Sequence, residues 1–185
     1  MTRNEPIPDD KNWTWVLERP CPDCGYDVSS IPRNELGAHV RANAAAWRSV
    51  MQRGDIVSRR PPSGAEGPVW SALEYGAHVR DVHKLFADRM RKMLKKENPS
   101  FANWDPNVTA LAEDYASQDP PKVAYALARN AGEFADLLDR IADDEWARTG
   151  ERSDGSHFTV ESLAYYALHD PIHHLWDVEQ GFEAL

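Results

Sequence analysis

Apolar residues recur at spacings of three or four in four separate segments of this chain, which is the pattern of amphipathic helices. In the first segment these positions are Leu36, Val40, Ala44, Trp47 and Met51. Strand signals are sparse between the segments. The sequence therefore predicts an all-α four-helix bundle with long connecting loops. The predicted helices cover approximately residues 34–52, 71–96, 119–141 and 159–180.

Residues that favour helix ends mark several of these boundaries. Ser71 and Glu74 form a capping box, in which the serine side chain accepts from a free N–H of the first turn and the glutamate reaches back. Asp119 followed by Pro120 is a typical helix start, because proline in the first turn has no N–H to leave unpaired. Gly54 ends the first helix.

Residues 1–33 are expected to form an irregular N-terminal arm, and residues 34–185 the bundle. Several prolines interrupt any helix in the arm. Trp13 and Trp15 are nevertheless too apolar for a free tail. We therefore expect the arm to pack over the bundle or over a partner subunit.

Composition narrows the classes of function. The chain of 185 residues carries 21 basic and 30 acidic residues, a formal net charge of −9. This charge argues against non-specific nucleic-acid binding, which requires clustered positive charge. No apolar run approaches the ~20 residues that span a bilayer, and the polar N-terminus has no apolar signal region. A cytoplasmic protein that acts on a small molecule, with neither nucleic acid nor membrane as partner, is the expectation.

The fourth predicted helix carries an unusual density of metal-binding side chains. Its segment Ala167–Asp177 contains three of the seven histidines and two aspartates. Residues four apart on a helix point the same way and can hold one divalent ion. Two such pairs are present, His169/His173 and Asp170/His174.

A rotation of about 100° per residue separates the two pairs. Asp170 and His174 fall at the edge of, or within, the apolar arc of the helix. His169 and His173 fall on the other side, which predicts that they face solvent. Pro171 lies between the pairs, and a one-residue shift there would turn His169 and His173 inward, so this alternative stays open.

A third metal ligand is expected from His78, which lies on the apolar stripe of the second predicted helix. Asp81 and Asp177 follow three residues after His78 and His174, and each is a candidate to orient its histidine by accepting the second ring N–H. The other histidines, His39, His83 and His157, are expected at the surface or in loops.

The arm contains a single C-x-x-C motif, Cys21 to Cys24. One interpretation is half of a zinc site that histidines or another subunit complete. A redox dithiol is a second, and a tight turn with two free thiols is a third. In a fourth, the arm folds over the bundle and delivers a cysteine to the metal on the fourth helix, which would turn a catalytic site into a structural one.

The segment Glu74–Asp81 with His78, the Trp70–Ser71 entry to the second helix and the histidine-rich fourth helix together resemble the DinB-like superfamily. That superfamily includes mycothiol-dependent maleylpyruvate isomerases and bacillithiol S-transferases. The resemblance covers about residues 34–180 and leaves out Cys21 and Cys24.

The resemblance implies an up-down-down-up four-helix bundle, often a homodimer, that binds zinc or nickel. It implies His78, Asp170 and His174 as ligands, although most members have histidine at the position of Asp170, which keeps His169 and His173 as the alternative pair. It also implies a low-molecular-weight thiol such as mycothiol as cosubstrate. The expected function is a metal-dependent thiol S-transferase or isomerase; the alternatives are a non-catalytic stress-response or interaction module with a structural metal or histidine cluster, and a metal-dependent hydrolase.

Overall fold

A computed structural model describes residues 13–59 and 69–183. Residues 1–12 of the predicted arm lie outside these ranges. Within them, four long helices lie close to their predicted positions, and a short additional helix follows the second of them. The helices are α1 (Leu36–Val50), α2 (Ala72–Lys95), α3 (Pro106–Ala112), α4 (Pro120–Leu138) and α5 (Val160–Glu183).

The helix-start residues predicted from the sequence cap α2 and α4 in the structure. The Ser71 side chain accepts from the Glu74 N–H at 3.2 Å, and the Glu74 carboxylate accepts from the Ser71 N–H at 2.7 Å. This capping box satisfies two backbone donors at the start of α2. At α4 the Asp119 carboxylate accepts from the Lys122 N–H at 3.2 Å, and Pro120 occupies the first turn.

The long helices form one bundle. Helix α1 packs against α4 and α5, and α2 packs against the same two helices, so that α1 and α2 lie diagonally opposite each other. Their facing apolar side chains make up one hydrophobic core, whose burial is the main favourable contribution to folding. Large buried members of this core include Trp47, Met90, Leu127, Phe134 and Leu163.

The fold is not purely helical, which corrects the all-α prediction. A small sheet is built from β1 (Ser100–Phe101), β2 (Thr149–Arg152) and β3 (His157–Thr159), with β1 parallel and β3 antiparallel to β2. Arg148 donates to the Met93 carbonyl at 2.9 Å, which places the sheet at the C-terminal end of α2. Strands this short carry no readable alternation of apolar and polar residues, so the sequence predicted loops there.

The arm packs along α5. Val16, Cys21 and Tyr26 are at most 4% exposed, and the last two belong to the hydrophobic core. The Tyr26 hydroxyl donates to the Tyr165 carbonyl at 2.7 Å, and the Tyr165 hydroxyl donates to the Ile31 carbonyl at 2.8 Å. Helix α5 is consequently covered on two sides, by the bundle and by the arm.

In the part of the chain that the structure describes, no helix combines the length and the apolarity needed to cross a membrane.

Candidate metal centre

Two clusters of possible metal ligands lie on α5 among the described residues. In each cluster every residue offers one ligand atom within 4.8 Å of the others. The first consists of His78, Asp170 and His174, and the second of Cys21, Cys24, His169 and His173. The pair Asp170/His174 therefore belongs to the first cluster, and the pair His169/His173 belongs to the second.

In the first cluster, ligand atoms from α2 and α5 converge. Asp170 Oδ1 lies 3.1 Å from His78 Nε2 and 3.7 Å from His174 Nε2. Asp170 and His174 are one helical turn apart, so their side chains leave the same face of α5. His78 reaches them from the second turn of α2, the helix that packs against this face.

Asp81 and Asp177 are the two carboxylates expected to orient His78 and His174. Only Asp177 contacts its histidine. Asp177 Oδ2 lies 2.8 Å from His174 Nδ1, which leaves His174 Nε2 turned towards the cluster. Asp81 instead accepts from the Tyr115 hydroxyl at 2.6 Å and from the Arg80 guanidinium at 2.7 Å. His78 Nδ1 is buried without a hydrogen-bond partner among the described residues.

The electrostatics of the cluster favour the metal-binding forms of His78 and Asp170. Burial lowers the pKa of His78, although the nearby Asp170 carboxylate opposes this shift. Burial alone would raise the pKa of Asp170, but the imidazoles of His78 and His174 outweigh it and hold that pKa below its ordinary value. A neutral imidazole and an ionised carboxylate are the protonation states that bind metal.

Aromatic rings enclose His78 on the inner side of the cluster. The Trp104 ring stacks on its imidazole with an interplanar angle of 1° and centroids 5.2 Å apart, and Trp70 lies at 5.2 Å. His78 is 2% exposed, whereas the Asp170 and His174 side chains are 32% and 18% exposed. The cluster is therefore closed by aromatic rings at α2 and reaches solvent at α5.

A surface groove begins beside the cluster. The Tyr75 ring on its wall lies 4.9 Å from the His174 ring, and Asp177 contributes to the lining. Most of the lining is apolar, so a small apolar surface lies beside the cluster. The groove is lined by Ser58, Val69, Trp70, Ala72, Tyr75, Asp177, Val178 and Phe182.

His169 and His173 do not face solvent, which corrects the rotation argument. They are 3% and 9% exposed because the arm covers them. The Trp13 ring centroid lies 5.2 Å from that of His169 and 4.9 Å from that of His173. The helical rotation had assumed a single buried face, whereas α5 has two.

His83 is also misplaced by the sequence analysis. Its side chain is 1% exposed, close to Phe134 of α4, and neither ring nitrogen has a hydrogen-bond partner among the described residues. Burial lowers the pKa of His83 to about 4, so it is neutral at neutral pH. The buried face of α2 also includes Val79 and Ala87, so it is wider than the stripe seen in the sequence, and His83 falls within it.

The family model of the DinB superfamily matches residues 33–178, most of the chain. The chain belongs to the DinB superfamily. The matched range contains His78, Asp170 and His174 but begins after Cys21 and Cys24. The cysteines of the second cluster therefore lie outside the part of this DinB protein that the family model describes.

The chain shares its fold with a solved structure. That structure is YfiT from Bacillus subtilis, described as a probable metal-dependent hydrolase with an unusual four-helix bundle topology. The match has a TM-score of 0.70 and 17% sequence identity, and it covers 89% of this DinB protein and 92% of YfiT. At this sequence identity, the likeness to YfiT shows a shared fold alone. No curated protein matches the chain.

The first cluster fits a divalent metal ion by the chemistry of its donors. Two imidazole nitrogens and one carboxylate oxygen suit zinc or nickel and leave a coordination position unfilled by protein. Donor atoms on a tetrahedral zinc ion with bonds of ~2.0–2.1 Å lie about 3.3 Å apart. The observed separations from Asp170 Oδ1, 3.1 and 3.7 Å, are close to this value.

Sequence reasoning did not identify Trp104 as part of the site. Trp104 lies in the segment between β1 and α3, and its indole N–H donates to Thr109 at 2.7 Å. This bond holds the ring against His78. A lone tryptophan in a predicted loop had no periodic pattern that could relate it to a helix far away in sequence.

Proposed function

We propose that His78, Asp170 and His174 bind a zinc or nickel ion and that this DinB protein is a metal-dependent enzyme that uses a low-molecular-weight thiol for S-transfer or isomerisation. The observation that carries the proposal is the convergence of the three ligand atoms within 4.8 Å, next to a solvent-accessible groove. Three protein ligands with an unfilled position are typical of catalytic rather than structural sites.

The surrounding residues set up this site. Asp177 holds His174 with Nε2 directed at the cluster, an arrangement that raises the basicity of the ligand and fixes its orientation. Trp70 and Trp104 exclude water around His78. When bound, a divalent ion supplies a positive charge that lowers the pKa of a coordinated thiol and polarises a carbonyl group.

The groove supplies the binding surface for substrate. The aromatic rings of Trp70, Tyr75 and Phe182 present apolar faces to an electrophile, and Asp177 adds one polar position. Two lining residues, Tyr75 and Asp177, contact His174, so a substrate lying in the groove would be next to the cluster.

Hydrolysis is the second candidate. It is favoured by the shared fold with YfiT, which is described as a probable metal-dependent hydrolase. A hydrolase on this scaffold would use water where the transferase uses a thiol. The two candidates therefore differ in the nucleophile and share the metal ligands.

The test uses protein purified without chelator and loaded with zinc or nickel. Thiol transfer is measured with a fluorogenic bimane electrophile and a panel of thiols that includes mycothiol, and hydrolysis with chromogenic esters and amides. We expect thiol-dependent turnover that His174→Ala and Asp170→Asn abolish, while the exposed control Glu179→Gln retains it.

The outcomes separate the alternatives. Turnover of esters or amides without thiol would replace S-transfer by hydrolysis. Stoichiometric metal without turnover, combined with a lower melting temperature for His174→Ala, would support the non-catalytic alternative. Absence of metal from the first cluster under all loading conditions would overturn both enzymatic candidates.

A further inference from the structure

We propose that Cys21, Cys24, His169 and His173 form a second metal site, a closed four-ligand zinc site that links the N-terminal arm to α5. It differs from the first cluster in its ligands and in its role. Four protein ligands leave no position for substrate, so this site is structural. The inference does not depend on the proposed function.

The geometry of the four side chains suits a single ion. All four ligand atoms lie within 4.8 Å of one another, and Cys21 Sγ lies 3.6 Å from His173 Nδ1. In a tetrahedral zinc site with Zn–S of ~2.3 Å and Zn–N of ~2.0 Å, neighbouring ligand atoms are about 3.3–3.8 Å apart. Contraction by roughly 1 Å at the widest separations therefore completes the site without a change of fold.

The arm is already folded into the turn that such a site requires. The Gly25 N–H donates to the Cys21 carbonyl at 3.0 Å, and the Cys21 N–H donates to the Tyr26 carbonyl at 2.8 Å. Gly25 has φ of 72°, a conformation that glycine adopts without strain. This reversal places both thiols on the side of the arm that faces α5.

The cluster is largely buried, and one of its ring nitrogens has no hydrogen-bond partner in the described part of the chain. Cys21 is 1% exposed and His169 is 3% exposed. His169 Nε2 has no hydrogen-bond partner among the described residues, and Cys21 and Cys24 form no disulfide. Coordination satisfies the imidazole and stabilises both thiolates.

The ligand set identifies zinc. Two thiolates and two imidazoles around one point are a common structural zinc combination. A Rieske iron–sulfur centre uses the same residue types, but it places the cysteines on one iron and the histidines on the other, so the two pairs lie a cluster's width apart. Here the four atoms surround one position.

The two clusters lie on adjacent faces of α5. His169 and His173 each precede a ligand of the first cluster, Asp170 and His174, by one residue. A zinc ion between arm and helix therefore fixes the rotation of α5 about its axis. The same rotation determines where Asp170 and His174 meet His78.

Metal analysis of the full chain tests this inference. We compare the parent protein, the Cys21→Ser/Cys24→Ser double variant and His174→Ala after zinc loading and removal of excess metal. We expect one zinc ion fewer per chain in the double variant than in the parent; if the first cluster is also loaded, the parent holds two and each variant one. X-ray absorption should show zinc–sulfur bonds of about 2.3 Å in the parent and in His174→Ala, and none in the double variant.

Thiol reactivity provides a second measurement that does not depend on folding of the double variant. In zinc-loaded parent protein, Cys21 and Cys24 should resist a thiol reagent until a strong chelator is added. Two immediately reactive thiols in folded, zinc-loaded protein, zinc without sulfur ligands, or iron in its place would each overturn the inference. Loss of zinc from the first cluster alone would leave the sulfur signal intact, so failure of the proposed function is distinguishable.

Discussion

His173 and His174 are consecutive residues, yet their imidazoles belong to different clusters. Asp177 lies between them: its Oδ2 is 2.8 Å from His174 Nδ1, and its Oδ1 is 3.8 Å from His173 Nε2. Each histidine thus turns one ring nitrogen towards Asp177 and the other towards its own cluster. The Asp177 carboxylate therefore lies beside a histidine of each candidate metal site.

Asp177→Asn is expected to weaken metal binding at His78, Asp170 and His174 by about 10–100-fold, the usual cost of losing an orienting carboxylate. The fold should persist, because Asp177 is partly exposed. Competition with a chelating dye measures the affinity, and the exposed Glu179→Gln is the matched control. An unchanged affinity would show that packing alone orients His174.

Ser71→Ala is expected to lower the free energy of unfolding by about 1–2 kcal/mol, since it removes the acceptor for the Glu74 N–H at the start of α2. Ser71 is 2% exposed, so water cannot readily replace its hydroxyl. Urea unfolding measures the change. Ser49→Ala, on the exposed side of α1, should change stability by less than about 0.5 kcal/mol. Equal effects of the two substitutions would contradict the role of the capping box.

Local sequence signals predicted the long helices well. The capping box placed the start of α2, and Asp119 with Pro120 placed that of α4. These signals act within a few residues of the chain, so they can be read without knowledge of the fold. Pairing of β1 with β2 joins Ser100 to Glu151, a contact that no local pattern encodes.

The residues of the first cluster were named from the sequence, but the relation between the two histidine pairs was not. A helical rotation shows which side chains share a face, and it correctly separates Asp170 from His169. It cannot show that Trp13 and Tyr26 of the arm cover the second face. That cover is a tertiary contact between segments far apart in sequence.

Gly132→Ala and Gly37→Ala should have opposite effects. A Cβ at Gly132, in the interior of α4, meets nothing within 4 Å, so alanine should stabilise the protein by about 0.5–1 kcal/mol through helix propensity. A Cβ at Gly37 would collide with the Asp139 carboxylate and lie 3.1 Å from the Ala135 carbonyl oxygen. Because Arg41 holds Asp139 at 2.8 Å, we expect a loss of about 1–3 kcal/mol. Thermal and urea unfolding compare the two, and stabilisation by both would contradict the close approach of α1 and α4.

His83→Leu is expected to stabilise the protein by about 1 kcal/mol at neutral pH, because it removes two buried nitrogens without partners from an apolar position. This gain in the free energy of unfolding over the parent should increase as the pH falls below 6.5. Burial lowers the pKa of His83 from 6.5 to about 4, against the weaker opposing effect of Asp170, so the unfolded chain takes up a proton in this window while the folded chain does not.

Proton uptake by unfolded His83 is therefore negligible well above pH 6.5, and below it the parent loses stability relative to His83→Leu as the pH falls towards 4. The slope is at most about 1.4 kcal/mol per pH unit for one group. Urea unfolding of parent and variant between pH 8 and ~4, at equal metal content, isolates this contribution, because every other histidine is common to both proteins. The free energy of unfolding of the exposed control variant His157→Gln should differ little from that of the parent across this pH range. A His83→Leu variant that is less stable than the parent at every pH would mean that the imidazole is satisfied, for instance by a buried water molecule.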